Sequence, residues 1–457
     1  MTSPTAKKPA IAARHVAAEK RFNCQRRRLL TWGAAAASAT LLPGCERSQP
    51  EPPASPAPAS APVVLTALIW APDWAEEMHR VAGAFSREHP DIQIALQFMI
   101  GNSVEENLMP KAATNSLPDI VSVNPNPYAA TLADQGLLAD IGQCAAWGNM
   151  LDALQADWTS PAQRRFGIPT GVATTLIYYN RDMFERAGIT ATPTDFDAFI
   201  SAGLALKKAG LTPLALSGGF PNMLANGPFS HGFANEIVAN FPDWRARIAA
   251  GTLPLDGAHG IAIFARLRQL ADHALLQPDF MRAGYDDTLR LFAEGRAAMT
   301  FQGTWAAGSL MRGRGQRVGV FAAPWNERGR AAVPVIGSET GFAVAQRGSE
   351  RSRQAARMFI DYLYGPGMPI WQAKRQNIPP LRKLDEEVAG DRALFALVEQ
   401  IERQGTGPGL YYSYLPANTI ERLHALLQSV LFGKMAPMEA ARLLHHSIRD
   451  QARTESK

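Results

Sequence analysis

The sequence predicts an α/β protein built on a largely parallel sheet. Three observations carry that expectation. Val63 to Trp70 (VVLTALIW) is a near-continuous apolar run, the pattern of a strand buried on both faces. Ala75 to Glu88 then sets Met78, Val81, Ala82 and Phe85 at helical spacing and stops at His89-Pro90. Ile92 to Phe98 alternates as a second strand, and a helical run from Val104 to Thr114 leads to a third strand at Ile120 to Val123. Strand alternating with helix in this way builds parallel sheets covered by helices.

The same rhythm continues. FGIPTGVATTLIYYNRDMFERAGI (Phe166 to Ile189) is strand-like through Leu176 to Tyr179 and then turns helical. TPTDFDAFISAGLALKKAG follows as a helix, with Thr194 as candidate N-cap and Gly210 as stop. A helix ending near Gly295 precedes the strand AAMTFQG, and Thr304-Trp305 opens another helix. RVGVFAAPW reads as a strand, GSETGFAVAQ as a loop feeding a strand, and SRQAARMFIDYLYG as an amphipathic helix. The chain ends in helix, with Leu423, Leu426, Leu427, Val430 and Leu431 on one stripe. Ligands of such sheets bind beyond the carboxyl ends of the strands. Trp70-Ala71-Pro72-Asp73-Trp74 and Asn124-Pro125-Asn126-Pro127 stand at those ends.

The start of the chain has another character. Leu29 to Leu42 is a mostly apolar stretch too short to span a bilayer comfortably, preceded by Arg26-Arg27-Arg28 and closed by small residues. That is the pattern of an export leader, with a twin-arginine flavour. Leu42-Pro43-Gly44-Cys45 resembles a lipoprotein lipobox, in which Cys45 is acylated and becomes the mature first residue. Residues 1–45 are therefore set apart from the fold. Glu46 to Pro62 (ERSQPEPPASPAPASAP) is a tether whose composition favours extended polyproline-like chain. From Val63 onward the chain is long enough for two lobes of ordinary size.

Charge and cysteine exclude several classes. The chain carries +5, but residues 1–45 hold eight Lys/Arg against one Asp/Glu, so the body sits near −2. A near-neutral body argues against a nucleic-acid partner, whose binding rests on phosphate neutralisation. Of three cysteines only Cys144 lies in the body, so neither an intrachain disulfide framework nor a Cys/His metal cluster is expected. The sequence contains no HExxH, GxxxxGK[ST], GxSxG or strand-preceded GxGxxG.

The landmarks LIW, FSREHPDI, NSLPDIVSV, GLLADI, GIPTGVATTLIYYNRDMFERAGI, FAEGRAAMTFQGTW and GSETGFAV, followed by the C-terminal helix, occur in one order. As an ordered set, covering Val63 to the end, they resemble the extracellular solute-binding proteins that serve carbohydrate ABC importers. The resemblance implies a two-lobed periplasmic-binding-protein fold of type II, with solute held between hinge-linked lobes. Matched landmarks put hinges near Val172 to Thr175, Phe321 to Pro324 and Asn377 to Pro380. The lobes are then 63–173 plus 324–377 and 174–321 plus 379–457. The implied protein is an exported, lipid-anchored monomer without cofactor or catalytic residues. Its partners are a small solute, a carbohydrate first of all, and the permease subunits in the membrane.

A sugar site needs aromatic platforms and fixed polar groups in a concave space. Trp305 follows a strand and matches the family's stacking G-x-W segment. Asp73 and Trp74 lie just past the first strand, where relatives contact ligand; Trp70 is closer to the strand and competes with a core role. Asn124 and Asn126 offer amides, although Asn-Pro also simply makes turns. Thr174 falls at a hinge crossing, and Glu339 and Thr340 at a cleft-facing strand start where a carboxylate can bind vicinal hydroxyls. Tyr411 or Tyr412 can close over the solute. Asp119 reads as a structural loop bond. Unlike maltose-type receptors, the chain has Ala173 where they place a charge and Val123 where they place an aromatic.

The alternatives are a receptor for glycerol phosphate, a polyamine or iron, a sensor, or a secreted carbohydrate-active enzyme. An enzyme needs two separated carboxylates. Asp286-Asp287 and Glu386-Glu387 instead read as capping or solvated surface.

Overall fold

The structure is a computed structural model that describes residues 61–455 apart from 72–73, 102, 312–316, 376, 383–395, 399, 401–402 and 404–406. The leader, Cys45, most of the tether, Asp73 and Glu386-Glu387 lie outside the described residues. Everything below belongs to one compact unit, Ser60–Lys457.

Two sheets organise it. In the first, β1 (Val63–Ile69) lies between β2 (Ile92–Phe98) and β3 (Ile120–Val123), parallel to both. Beyond β3 come β11 (Gly341–Val344), antiparallel to it, and β4 (Ile168–Pro169) at the edge. Within this sheet the parallel expectation holds for β1 to β3, because the chain returns late to add a reversed strand. β1 also departs from its reading as a strand buried throughout. Val64 and Thr66 are exposed and only Ala67, Leu68 and Ile69 form a continuous buried run. Thr66 is tied by Asp119, whose carboxylate accepts from the Thr66 amide (2.8 Å) and hydroxyl (2.7 Å).

The second sheet runs β7-β8-β6-β9. Here β6 (Thr175–Asn180) is antiparallel to both β8 (Met299–Gly303) and β9 (Val318–Ala322), and only β7 (Leu214–Ala215) runs parallel to β8. Each sheet has its own hydrophobic core: Leu65, Phe85, Ile120, Trp158 and Trp371 in the first lobe; Ile177, Phe199, Phe233, Trp325 and Leu423 in the second. Helix Glu350–Leu363 packs on β1 in the first lobe, and the two C-terminal helices, Ala417–Leu431 and Pro437–Glu455, pack on helix Ala258–Asp272 in the second. Between the sheets stands a two-residue antiparallel pair, β5 (Val172–Ala173) with β10 (Gly337–Ser338). The Val172 amide also donates to Ile378 O (2.9 Å), so three separate stretches of chain meet there.

Local chemistry explains most helix limits. Ser103 caps helix Val104–Ala113 by accepting from the Glu106 amide, and Asn126 caps helix Pro127–Asp134 through the Ala129 amide (2.9 Å). The cap of helix Phe196–Lys208 is Asp195 rather than Thr194; its carboxylate accepts from the Ala198 amide, and Thr194 spends its carbonyl on Asn326. Gly210, at φ +74°, ends that helix in the left-handed conformation open to glycine. The run from Pro221 to Val238 is less regular, with π-helical turns at Ala225–Phe229 and Ala234–Val238. Pro228 has no N–H for an α-helical bond, and a wider turn accommodates its ring. In this irregular stretch the Asn226 carbonyl accepts from the Thr175 hydroxyl (3.0 Å).

Candidate functional site

The carboxyl ends of β1 and β3 and the end of β8 line one narrow cleft, through Trp70, Asn124 and Trp305. Such a narrow interior describes a closed cleft. Helices from the two lobes touch beside it, where the Ser103 hydroxyl donates to Glu421 Oε1 (2.8 Å).

Trp305, expected as an aromatic platform, reaches the cleft. It is half-buried, lines the cleft and packs against both cores. A Cβ added at Gly303 would lie 2.3 Å from its ring carbons, so the indole lies against a backbone where only glycine fits. That contact fixes the ring without a side chain beneath it. Trp70, at the end of β1, also lines the cleft half-buried. Trp74 lines it as well but is 3 % exposed, held by Trp371 (centroids 5.6 Å apart), Phe342 (6.2 Å) and the Arg375 guanidinium (4.8 Å above its ring). Arg375 occupies the neighbourhood in which a solute would stack on Trp74, so Trp70 is the more open of the two rings.

Below them lies a buried polar cluster. The Glu339 and Arg375 side chains are 4 % and 5 % exposed and meet at 2.6 Å. Glu339 also accepts from the Thr170 hydroxyl (2.7 Å) and Asn377 Nδ2 (3.0 Å). A buried ion pair holds only when its remaining capacity is met in this way. Glu339 therefore lines the cleft, but its first task is to hold Arg375 rather than to bind vicinal hydroxyls alone. Thr340 donates to Asn124 Oδ1 (2.6 Å), and Asn124 Nδ2 donates to Glu105 Oε1 (2.9 Å); Thr340 and Asn124 both face the cleft. Burial pushes the Glu105 carboxyl up, against its hydrogen bonds from Asn124 and Asn126. Tyr412 closes one side with its ring, and its hydroxyl donates to Ser338 O (3.2 Å).

Three expected contacts are not among the residues lining the cleft. Asn126 spends its oxygen on its helix cap and its Nδ2 on Glu105 Oε1 (2.7 Å). Thr174 is 1 % exposed, and its carbonyl accepts from the Thr304 amide. Tyr411 turns behind the wall, where its hydroxyl lies 3.2 Å from Asn222 Nδ2 and 3.1 Å from His424 Nε2. Asp73 lies outside the described residues. The sequence reading had not singled out Phe220, Asn222, Asn226 and Tyr285 on the second-lobe wall, nor Thr170 and Arg375 on the first. Asn222 and Asn226, four apart after Gly218-Gly219 and Phe220-Pro221, were the available signal: two amides on one helix face opening from a turn.

The described residues contain no group of three His, Cys, Asp or Glu placed to hold a metal ion. Asp287 caps its own helix through the Gly284 amide (2.9 Å) and pairs with Arg290 at 2.7 Å, a structural role.

Comparison with known proteins matches the chain over residues 71–368 to the bacterial extracellular solute-binding proteins. The melibiose/raffinose/stachyose-binding protein MelE of Bacillus subtilis (strain 168) is 23% identical over 438 residues, covering 91% of this chain and 95% of MelE. Among solved structures, a chitin oligosaccharide binding protein superposes with TM-score 0.75 at 20% identity, covering 86% of this chain and 99% of that one. The solute-binding protein RafE in complex with raffinose gives TM-score 0.72 at 19% identity, over 85% and 100% of the two chains. These neighbours share the two-lobed architecture. With its two sheets, the crossing between them and a closed cleft walled by tryptophan, the chain belongs to the bacterial extracellular solute-binding protein family.

Proposed function

We propose that this protein is the receptor of an ABC importer and that its solute is a neutral carbohydrate. The observation that carries the reading is Trp305 laid against Gly303, an immobilised aromatic face at the mouth of two lobes. Such a face suits the apolar C–H surface of a sugar ring. The charge of the wall favours this reading over the alternatives. Glu339 is the carboxylate among the described lining residues, and it is already paired; a polyamine would need more. Arg375 is neutralised by that same carboxylate, which leaves little for a phosphate dianion. Among the described lining residues Glu339 has no second carboxylate of the kind a glycosidase pairs with it. MelE, RafE and the chitin oligosaccharide protein are similar receptors whose names speak of sugars, not of catalysis.

In this reading the lobes are 63–173 plus about 337–377 and 174–336 plus 379–457: the crossing expected near Phe321 to Pro324 falls later, because Trp325 and Val335 pack in the second core and the chain returns at β10. The three crossings act as hinges, and solute contacts on both walls favour the closed state that the permease recognises. The chain works outside the cytoplasmic membrane as a monomer, held there by a lipid on Cys45.

Thermal unfolding against melibiose, raffinose, stachyose, chitin and xylan oligosaccharides, glycerol 3-phosphate and putrescine tests this. A sugar at 100 times its dissociation constant stabilises by about 2.7 kcal/mol. Trp305→Ala is expected to weaken that sugar about tenfold or more. Stabilisation by putrescine or glycerol phosphate with every sugar silent would overturn the carbohydrate assignment.

A further inference from the structure

Two polar residues that line the cleft, Arg375 on the first-lobe wall and Asn226 on the second, keep buried atoms without a hydrogen-bond partner. On the first-lobe wall, Arg375 is 5 % exposed and gives Nη2 to Glu339, while its Nε and Nη1 are buried without a partner. The guanidinium does not swing freely, because the rings of Trp74 and Trp371 lie 4.8 and 5.6 Å from its carbon. On the second-lobe wall, Asn226 is 3 % exposed and commits Nδ2 to Asn222 Oδ1 (2.6 Å), while its Oδ1 is buried without a partner. The wide turn around Pro228 and the bond from the Thr175 hydroxyl to the Asn226 carbonyl hold the backbone at that place.

Buried donors and acceptors left unmade are costly, far more so than an average hydrogen bond is stabilising. We infer that Arg375 and Asn226 determine solute specificity as a pair, Arg375 donating to oxygens of the solute and Asn226 accepting from one of its hydroxyls. The inference rests on the carbohydrate reading above. The donors on Arg375 point from separate nitrogens, and Nη2 is taken, so they suit hydroxyl, ring or glycosidic oxygens rather than a carboxylate held in a fork. Closure brings both orphaned groups into one space. A solute that lacks either the acceptor or the donor closes the cleft onto an unmet polar group and is rejected.

The experiment uses the purified protein titrated calorimetrically with raffinose, stachyose and N,N′-diacetylchitobiose. Arg375→Lys keeps the charge beside Glu339 but removes the two free donors; Asn226→Leu removes the acceptor; Asn226→Asp keeps an acceptor at that place. Arg375→Lys and Asn226→Leu should each weaken the sugar that the wild type binds by about tenfold or more, the scale of one unmet buried hydrogen bond. Asn226→Asp should recover part of that loss, which a merely structural role for Asn226 would not produce. Melting of each variant without sugar separates a lost contact from a lost fold, and because the variants sit on different lobes one can report if the other does not fold. Binding within twofold of wild type in both Arg375→Lys and Asn226→Leu overturns the inference and leaves the carbohydrate reading standing. Failure of the wild type to bind any of the three sugars overturns both.

Discussion

On the first-lobe side of the cleft the polar groups answer one another: Glu339 with Arg375, Thr170 and Asn377, and Asn124 with Thr340 and Glu105. On the second-lobe side the lining is neutral, made of aromatic rings and two amides on an irregular helix. The difference reaches into the interior. Behind the second wall lie two buried histidines, His231 and His424, each with its pKa lowered to about 4 by burial. Behind the first lie Glu105 and Asp157, whose carboxyls burial pushes up. One wall is rigid because it is charged and paired, the other because it is packed. Titration is where the two should part.

The largest expected effect is therefore acid. Between pH 6.5 and about 4 the unfolded chain protonates His231 and His424 while the folded chain keeps them neutral. Stability present above pH 6.5 is lost as the pH falls through that window, about 3 kcal/mol for each histidine across its full width. Glu105 and Asp157 act the other way: with raised carboxyl pKa values the folded state binds protons first, so acidification stabilises the first lobe. Amide hydrogen exchange at pH 7 and pH 5, corrected for intrinsic rates, should show protection falling around β6 and β8 more than around β1 and β3. Equal loss in both sheets would break the contrast.

Next comes the charged cluster itself. Glu339→Ala leaves the Arg375 guanidinium buried without its counter-ion, with Thr170 and Asn377 also short of an acceptor. Breaking a buried pair from one side costs about 3–5 kcal/mol, which a shift in the urea midpoint would register. Glu339→Gln keeps an acceptor and should cost less. A Glu339→Ala protein as stable as the wild type would mean that the cleft already admits enough water to carry the charge.

How far the site could be read from the chain follows the same division. The packed features were legible: β1 and β3 end at the cleft, and the resemblance of Gly303-Thr304-Trp305 to the family's G-x-W segment pointed to Trp305. The paired features were not. Arg375 meets Glu339 from 36 positions away, and no spacing rule joins them. Asn126 looks identical in sequence to Asn124, yet one caps a helix and the other faces the cleft. Trp74 looked more open than Trp70 because the cation above its ring comes from a distant segment. Asn226 depends on a π turn that only the whole helix, with Pro228 inside it, determines.

The smallest effect concerns the contact that closes the two walls onto each other, the bond from the Ser103 hydroxyl to Glu421 Oε1. The Glu421 side chain is 52% exposed, so in the open state water replaces Ser103 readily, and the net worth of the bond is about 0.5–1.5 kcal/mol. That figure acts on closure and not on folding. Glu421→Gln should leave the urea midpoint unchanged and weaken a bound sugar up to about tenfold, since apparent affinity scales with the closed fraction. Ser103→Ala should do the same and in addition lose the cap on helix Val104–Ala113, worth about 1 kcal/mol of stability. Small-angle scattering of the sugar-free protein would show the closed fraction falling in both variants. If Glu421→Gln instead unfolded the second lobe, the residue would belong to that lobe's packing, and the walls would be held together by the solute alone.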